Sequence, residues 1–225
     1  MFAGADRDLL RAAARAIRDM GLAMITLHTV DLSGNGMKVR LLLSMLGLDY
    51  ETKKPDMMKG EHKSPAFLKL NPLGQVPVLV DGALTLRDSQ AILVYLARNY
   101  GGDTWLPADP AQMGEVMQWL FFAGNEIFQG PNRLRLAKLL KFNVDTELAT
   151  KITESALKVM EARLAQHDWL ALGRPTIGDL ACYPYTALAY QGGFDLAPYK
   201  AVRAWIARVE ALPGYVGMPG LPKAA

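Results

Sequence analysis

The sequence NPLGQVPVLVDGALTLRDS, residues 71–89, decides the fold because it carries several structural signals in succession. The apolar and β-branched run over 76–80 predicts a buried strand. Asp81-Gly82 is the favoured two-residue turn of a β-hairpin, so residues 83–86 are expected to form the returning strand. Asp88-Ser89 then precedes an apolar stretch, which predicts a helix with a polar N-cap.

Pro77 interrupts the predicted strand. A proline has no N–H to donate, so it belongs at an edge, at the start of a strand or at a bulge. Here it would leave the N–H and C=O of Val76 without strand partners and free to pair with an extended peptide. Beside them, the helix that follows Asp88 offers free N–H groups and the positive end of its dipole to a carboxylate. The spacing permits two interpretations: a hairpin followed by a capped helix, or a binding site for a small peptide-like anion.

The same residues resemble a known family. Asn-Pro-Leu-Gly-Gln-Val-Pro-Val-Leu, then Asp81-Gly82, then Asp88-Ser89-Gln-Ala-Ile, is similar to the glutathione-binding half of a glutathione S-transferase. The resemblance extends from about Met24 to about Leu212. It implies a thioredoxin-like α/β N-terminal domain, an all-α C-terminal domain and glutathione as co-substrate. It also implies a cis Val76-Pro77 bond, although only about 5–6% of X-Pro bonds are cis.

Strand patterns are confined to the first part of the chain. Residues 25–29 alternate apolar and polar side chains, which predicts a first strand. A helix over 38–46 and a second strand over 50–54 follow, and with the hairpin and its helix over 89–99 they predict a compact α/β domain. The resemblance implies that residues 24–101 are the thioredoxin-like, glutathione-binding domain.

A turn-rich linker at 102–110 separates this domain from residues 111–225, where helical patterns alone remain. Thr176-Ile-Gly-Asp179 has the form of a capping box with Asp in place of the usual Glu. The resemblance implies that this box serves folding rather than chemistry. The helices of the second domain are predicted at about 110–128, 145–166, 176–190 and 199–211.

Residues 1–23 are predicted to form an N-terminal extension. Apolar side chains recur there at three- and four-residue steps, the spacing of one helix face. A transit peptide is poor in acids and rich in serine, whereas this segment carries three aspartates and no serine. It is either a genuine helical extension or the product of an upstream start codon, with Met24 as the true beginning. The resemblance starts at Met24, which favours the second interpretation.

The composition limits the classes of partner. The chain has 225 residues, of which 51% are hydrophobic, and a formal net charge of +3. The densest basic cluster, Arg133, Arg135, Lys138 and Lys141, has helical spacing and predicts a solvated face rather than a nucleic-acid site. No stretch approaches about 18 uninterrupted apolar residues, so no membrane span is expected. The single cysteine, Cys182, excludes an internal disulfide and fits a cytoplasmic protein.

A loop after the first strand holds the candidates for activating sulfur. The thiolate is the nucleophile, and a free thiol has a pKa of about 8.5. In families of this fold a Tyr, Ser or Cys near the first strand stabilises S⁻, and here Ser33 is the leading candidate. Ser33-Gly-Asn35-Gly-Met-Lys-Val resembles the Ser-type loop and also the Thr-x-Asn-Gly-x-Lys-Val loop of bacterial members with disulfide-reductase activity, in which Asn also contacts sulfur. The alternative is that Ser33 only caps a helix and Asn35 only turns the loop.

The resemblance implies further site residues. His62 matches a position that holds the glycine carboxylate of glutathione in relatives, although a loop His is more often simply solvated. Gln75 can reach the same carboxylate through its amide. The residues expected to bind glutathione are His62, Gln75, Val76, Pro77, Asp88 and Ser89. Candidates for the second-substrate pocket between the domains are Trp119, Phe122, Asn125, Glu126 and Arg133. No metal site is assigned.

These observations predict a glutathione transferase that activates the thiol of glutathione for attack on a small hydrophobic electrophile. A close variant would reduce disulfides, with a second glutathione in the electrophile pocket. An alternative from another class is a non-catalytic interaction module of the same fold. The resemblance further implies a homodimer, and no nucleic-acid or membrane partner is expected.

Overall fold

Four strands form a mixed sheet in the computed structural model of the protein, which describes residues 24–222. They are β1 (Ile25–His28), β2 (Tyr50–Lys53), β3 (Val78–Asp81) and β4 (Leu84–Arg87). Their order across the sheet is β2–β1–β3–β4. β1 pairs in parallel with β2 and antiparallel with β3, and β3 pairs antiparallel with β4. The helix predicted within residues 1–23 lies outside the described residues.

Helices follow the sheet in two groups. The first group is α1 (Gly34–Met45), α2 (Pro65–Leu70) and α3 (Ser89–Tyr100). The second group is α4 (Pro110–Gly124), α5 (Arg133–Leu140), α6 (Thr146–Leu164), α7 (Ile177–Ala187) and α8 (Lys200–Glu210). Within residues 24–222 no strand follows β4. The structure therefore consists of a thioredoxin-like α/β domain followed by an all-helical domain, which confirms the fold that the resemblance implied.

The hairpin differs from its prediction in register. β3 begins at Val78, directly after a cis Val76-Pro77 bond, which confirms the expected isomer. Asp81 pairs with Leu84, so the two-residue loop is residues 82–83 rather than Asp81-Gly82. Gly82 takes a φ of 57°, a conformation that glycine adopts without steric cost. Asp81 stays in the strand because its carboxylate accepts hydrogen bonds from the hydroxyls of Tyr95 and Tyr100.

The first helix of the second domain is shorter than predicted. α4 ends at Gly124 instead of continuing to residue 128, and a wide turn of π-helix, Phe128–Asn132, leads into α5. Pro131 lies inside this turn, where it has no N–H to give to a regular helical ladder. A side chain at Gly130 would lie 2.8 Å from the hydroxyl of Thr153, so α6 approaches the turn closely. The predicted helix is thus four residues too long, and α5, which follows the irregular turn, was not among the predicted helices.

The prediction of a solvated basic face was wrong for one of its four residues. Lys138 and Lys141 are exposed, but Arg135 is only 5% exposed. Its Nε donates a 2.6 Å hydrogen bond to the side-chain oxygen of Gln191. The face of α5 that carries Arg135 packs against the short 3₁₀ turn Ala189–Gly192. The basic residues therefore lie on two faces of the helix, one buried and one exposed.

α7 forms the centre of the molecule. All of its residues are buried, and it packs against α1 of the first domain and α4 of the second. The capping box at its start is confirmed, with Thr176 as the N-cap and Asp179 at the third helical position. Oδ1 of Asp179 also accepts hydrogen bonds from the Leu170 N–H at 3.0 Å and from the Trp205 indole at 2.9 Å. Burial raises the pKa of the Asp179 carboxyl, and its hydrogen bonds oppose that rise.

We expect Asp179→Asn to lower the free energy of unfolding by about 2–4 kcal/mol, since orphaned buried donors cost about 1–3 kcal/mol each. Oδ1 of Asp179 accepts from Leu170 and Trp205, and Oδ2 accepts from the N–H and the hydroxyl of Thr176. The Thr176 hydroxyl acts as a donor here because it already accepts from the Gly178 N–H. An amide would therefore place its NH₂ group against another donor in either orientation.

Chemical denaturation measures this loss. The control is Asp109→Asn, which changes a carboxylate to an amide at the exposed N-cap of α4, where the side chain accepts from the Gln112 N–H. Asn caps helices about as well as Asp, so this variant should be nearly neutral. Equal destabilisation by both substitutions would contradict the role assigned to Asp179.

Candidate functional site

Ser33 caps the N-terminus of α1. Its Oγ accepts a 3.0 Å hydrogen bond from the Gly36 N–H, and the side chain is partly exposed. The capping bond uses a lone pair, so the hydroxyl hydrogen remains available to a ligand. The Gly34 N–H and the positive end of the helix dipole lie beside it. The site can therefore stabilise an anion through a hydroxyl and a helix N-terminus together.

α1 begins four residues before its predicted start at Lys38, because two glycines that suggested a loop belong to its first turn. A Cβ at Gly34 would lie 2.3 Å from the ring of Tyr185, and a Cβ at Gly36 would lie 1.8 Å from the Thr29 hydroxyl. Glycine is thus required for close packing, and it is not required for a turn. The sequence alone did not show which elements approach these two positions.

Tyr185 of α7 holds the first turn of α1 from the other domain. Its hydroxyl accepts a 3.1 Å hydrogen bond from the Asn35 N–H. The side-chain oxygen of Asn35 is buried and has no hydrogen-bond partner among the described residues. Burial raises the pKa of Tyr185 to about 12, so the hydroxyl stays protonated and can also donate. Tyr185 was missed at the sequence level because nothing distinguishes it from the apolar helix around it.

Lys38 is a second residue that the sequence did not single out. It lies one turn into α1 and is completely buried. Its ammonium stands 5.4 Å from the centroid of the Tyr185 ring, and it has no hydrogen-bond partner within residues 24–222. Burial lowers the pKa of Lys38 to about 8, against smaller opposing effects of Cys182 and Asp88.

The peptide segment before β3 is held by an asparagine. Asn71 is buried, its Nδ2 donates to the Gln75 carbonyl at 2.8 Å, and its Oδ1 accepts from the Leu73 N–H at 3.0 Å. The strand pairing begins only at Val78, so Val76 lies outside the ladder. The Gln75 side chain is exposed. The turn and the cis proline therefore present an extended backbone segment that does not belong to the sheet.

Asp88 adopts an unusual backbone conformation at the start of α3. Its φ of 77° lies in the left-handed region, which costs a residue other than glycine about 1–3 kcal/mol. Its Oδ1 accepts from the N–H groups of Gln90 at 2.9 Å and of Ala91 at 3.1 Å, which confirms the polar N-cap. The residue is exposed, so its other carboxylate oxygen can bind a cation.

Ser89 is only 2% exposed and contacts the side-chain amide of Gln90 at 2.6 Å. If Ser89 donated to the Gln90 oxygen, the amide nitrogen would face the Gly124 N–H, donor against donor. In the opposite orientation the Gln90 nitrogen donates to Ser89 and Asp88, and its oxygen accepts from the Gly124 N–H at 3.2 Å. We adopt this orientation because it satisfies every group. It leaves the Ser89 hydroxyl free to donate and links α3 to the end of α4.

His62 lies in a short 3₁₀ turn, Glu61–Lys63. Its Nδ1 is buried and has no partner in the described part of the chain, while the residue as a whole is partly exposed. A Cβ at Gly74 would lie 2.6 Å from the His62 carbonyl oxygen, so this turn packs against the residues that precede Val76. His62 is therefore placed beside the extended segment.

The candidates for the second substrate are dispersed. Trp119 is buried in the core and makes an edge-on contact with the partly buried Phe122. The amide nitrogen of Asn125 donates to the Glu126 carboxylate at 3.3 Å. Arg133 is partly buried at the start of α5, beyond the π-helical turn. Of these five residues only Asn125 lines the cavity described next.

A cavity of about 630 Å³ lies between α3 and α4. Its walls are mainly apolar, and Asp88 forms one edge of it. Phe121, which is 72% exposed, lies on the same face. The residues that line the cavity are Asp88, Gln90, Ala91, Val94, Met117, Leu120, Phe121, Gly124 and Asn125.

Residues 24–222 contain neither a membrane-spanning helix nor a cluster of metal ligands. No helix there is both long enough and apolar enough to cross a membrane. No three His, Cys, Asp or Glu side chains there come together as metal ligands would. Cys182 is buried in α7, and burial raises the pKa of its thiol, which makes it a poor nucleophile.

Two curated relatives align with most of the chain. "Glutathione S-transferase 2" of Anopheles gambiae is 33% identical over 184 residues, which cover 78% of this chain and 86% of that protein. "Disulfide-bond oxidoreductase YfcG" of Escherichia coli (strain K12) is 31% identical over 189 residues, covering 80% of this chain and 87% of that protein.

Solved structures match to a similar extent. A possible glutathione S-transferase from Rhodopseudomonas palustris superposes with a TM-score of 0.81 at 35% identity, over 89% of this chain and all of that one. The glutathione transferase URE2P8 from Phanerochaete chrysosporium, solved with oxidized glutathione, superposes with a TM-score of 0.76 at 27% identity, over 85% of this chain and 91% of that one. The family models for the N-terminal and C-terminal domains of glutathione S-transferases match residues 25–98 and 143–208. The chain therefore belongs to the glutathione S-transferase family.

Proposed function

We propose that the protein is a glutathione transferase, which binds glutathione and activates its thiol for attack on a small hydrophobic electrophile. The observation that carries this proposal is the position of Ser33. Its hydroxyl stands at the N-terminus of α1 with its hydrogen available, in a chain that also keeps the cis proline and the Asp88-Ser89 pair. A non-catalytic module would have no need of a donor aimed at sulfur.

Glutathione would be held along its whole length. The backbone of Val76, outside the sheet ladder, pairs with the cysteinyl unit, and Pro77 sets its direction. Ser89 and the N-terminus of α3 receive the γ-glutamyl carboxylate, and Asp88 accepts from the α-ammonium. His62 and Gln75 take the glycine carboxylate. Bound oxidized glutathione in the related URE2P8 structure supports this choice of ligand.

The chemistry requires the bound thiol to lose its proton near neutral pH. Each unit by which its pKa falls requires about 1.4 kcal/mol of preferential stabilisation of S⁻. The Ser33 hydroxyl and the dipole of α1 can supply one to two such units. The thiolate sulfur then forms a bond to the electrophilic carbon, and the leaving group departs with the electron pair of the broken bond.

Reduction of disulfides with glutathione is a second candidate function. The motif Ser33-Gly-Asn35-Gly-Met-Lys-Val favours it, because it resembles the loop of the reductase subgroup, and a named disulfide-bond oxidoreductase is among the relatives. In this variant a second glutathione occupies the pocket of the electrophile, and Asn35 also contacts sulfur.

A panel of assays with glutathione separates these functions. Turnover of an aryl halide supports the transferase, and turnover of hydroxyethyl disulfide supports the reductase. An organic hydroperoxide tests a peroxidase activity of the same thiolate. Failure to turn over any of the three, together with failure to bind immobilised glutathione, would leave the non-catalytic module as the better proposal.

We expect Ser33→Ala to raise the pKa of bound glutathione towards its free value. The thiolate fraction at neutral pH should fall about ten-fold or more, for a shift of one to two units. Ser33→Thr keeps both the hydroxyl and the cap, so it should retain much of the activity. The measurement is thiolate absorbance of bound glutathione against pH.

Asn35→Ala completes that experiment. It should affect conjugation less than Ser33→Ala does, and disulfide reduction more. An unshifted titration in Ser33→Ala with a shifted one in Asn35→Ala would exchange the two roles. If neither titration shifts, the helix N-terminus and the backbone amides activate the thiol, and Ser33 is only a cap.

Asp88→Ala should raise the dissociation constant for glutathione more than ten-fold, because a lost charge-assisted hydrogen bond costs about 1.5–3 kcal/mol. Asp88→Asn is the matched variant: its side-chain oxygen still caps α3, and Asn tolerates positive φ, but the negative charge is gone. Both variants should bind glutathione weakly in calorimetry. If Asp88→Asn binds like the wild type, the carboxylate acts only as a cap.

We also propose a homodimer, with the face around Phe121 at the subunit interface. A large exposed aromatic ring beside an apolar cavity supports this choice of face. Light scattering should give about twice the 24.7 kDa chain mass. Phe121→Lys should shift the mass towards the monomer, while Phe142→Lys, at another exposed Phe, should not. A monomeric wild type at micromolar concentration would contradict the proposal.

A further inference from the structure

Lys38 carries its charge in the protein interior, where an unpaired charge lowers the stability of the fold. Its exposed fraction is zero, and its ammonium has neither a hydrogen bond nor a salt bridge within residues 24–222. Lysine is almost never fully buried unless it is paired. An unpaired ammonium inside a protein loses its hydration without replacement, so a neutral side chain of similar length would make the fold more stable. The fold does not explain this residue.

Three ionisable groups from two neighbouring helices surround Lys38. Tyr185 and Cys182 lie on α7, and Asp88 lies at the start of α3. Tyr185 presents its ring face to the ammonium while its hydroxyl accepts from the Asn35 N–H. Both neutral groups are held protonated by burial. Asp88 is therefore the one negatively charged group among these three, and its Oδ1 is already used as a cap.

The position of Lys38 relates it to the proposed glutathione site. Lys38 is five positions after Ser33, which corresponds to a rise of about 7–8 Å along α1. Glutathione with an ionised thiol carries two carboxylates, one ammonium and one S⁻, a net negative charge. A positive charge in a medium of low polarity acts over such distances with little screening. Burial leaves the Lys38 pKa at about 8, so the charge is present in most molecules at neutral pH.

We propose that Lys38 is a positioning residue that places a positive charge beneath the glutathione site, where it favours the thiolate of bound glutathione. This inference rests on the proposed function. It assigns Lys38 no contact with substrate. The charge acts through space on the sulfur of bound glutathione.

The test uses Lys38→Met, which keeps an unbranched side chain one atom shorter and removes its charge, and Lys38→Arg, which keeps the charge. The pKa of bound glutathione is measured by thiolate absorbance, and the stability of the free protein by thermal unfolding. We expect Lys38→Met to be at least as stable as the wild type. Its bound thiol should have a pKa about 0.5–1 unit higher, so the thiolate fraction at neutral pH should be about two- to eight-fold lower. Lys38→Arg should restore the thiol pKa.

The two measurements separate this role from a structural one. A structural lysine would lower stability when replaced and leave the thiol pKa where it was. If the wild type shows a shifted thiol and Lys38→Met shows the same shift, the inference is overturned and the proposed function stands. A wild-type thiol with the free pKa would overturn both. Should Lys38→Met fail to fold, Lys38→Gln gives the same comparison with a neutral polar group.

Discussion

The contact between Tyr185 and the first turn of α1 joins the two domains at the point where the chemistry is proposed. Gly34 lies directly against the ring, and the Asn35 N–H donates to its hydroxyl. The N-terminus of α1 is therefore set by α7 as much as by its own cap. α7 is in turn fixed by the buried carboxylate of Asp179, which connects its start to the segment around Leu170 and to Trp205 of α8. Folding of the helical domain thus prepares the site in the α/β domain.

Local patterns were sufficient to predict the four strands, most helices of the described residues and the cap on α3, because each of them depends on neighbouring residues. The hairpin loop was misplaced by one residue because the tyrosines that hold Asp81 lie one helix away. The start of α1 was missed for a similar reason. Glycine signals a turn in isolation, and only the approach of Tyr185 shows that the residue is needed for packing.

The residues of the candidate site also separate into those that the sequence could reveal and those that it could not. Ser33, Asp88 and Ser89 could be found from the sequence because they occupy recognisable positions before helices. Tyr185, Lys38 and Gln90 could not, since their importance lies in contacts between the domains. Lys38 even interrupts the polarity pattern of a buried helix surface. Without the partner helix, a single lysine in α1 is indistinguishable from a solvated one.

The buried carboxylate and the buried ammonium are treated differently by the fold. Asp179 receives four hydrogen bonds, which explains why it can remain inside. Within residues 24–222 the Lys38 ammonium has no hydrogen bond, and it faces the ring of Tyr185 at 5.4 Å. The hydrogen bonds of Asp179 stabilise the fold, whereas the unpaired Lys38 ammonium destabilises it. We therefore regard Lys38 as a residue that lowers stability in return for the electrostatic role proposed for it.

The closeness of Gly34 to Tyr185 has an evolutionary consequence. A methyl group at position 34 would overlap the ring, so neither position can change first without a loss. A larger residue at 34 becomes tolerable only after the ring at 185 has shrunk, and a smaller residue at 185 opens a void unless position 34 grows. Among relatives that keep this helix pairing, the two positions should vary together, and a lineage that crosses between the two solutions must pass through a weakened intermediate.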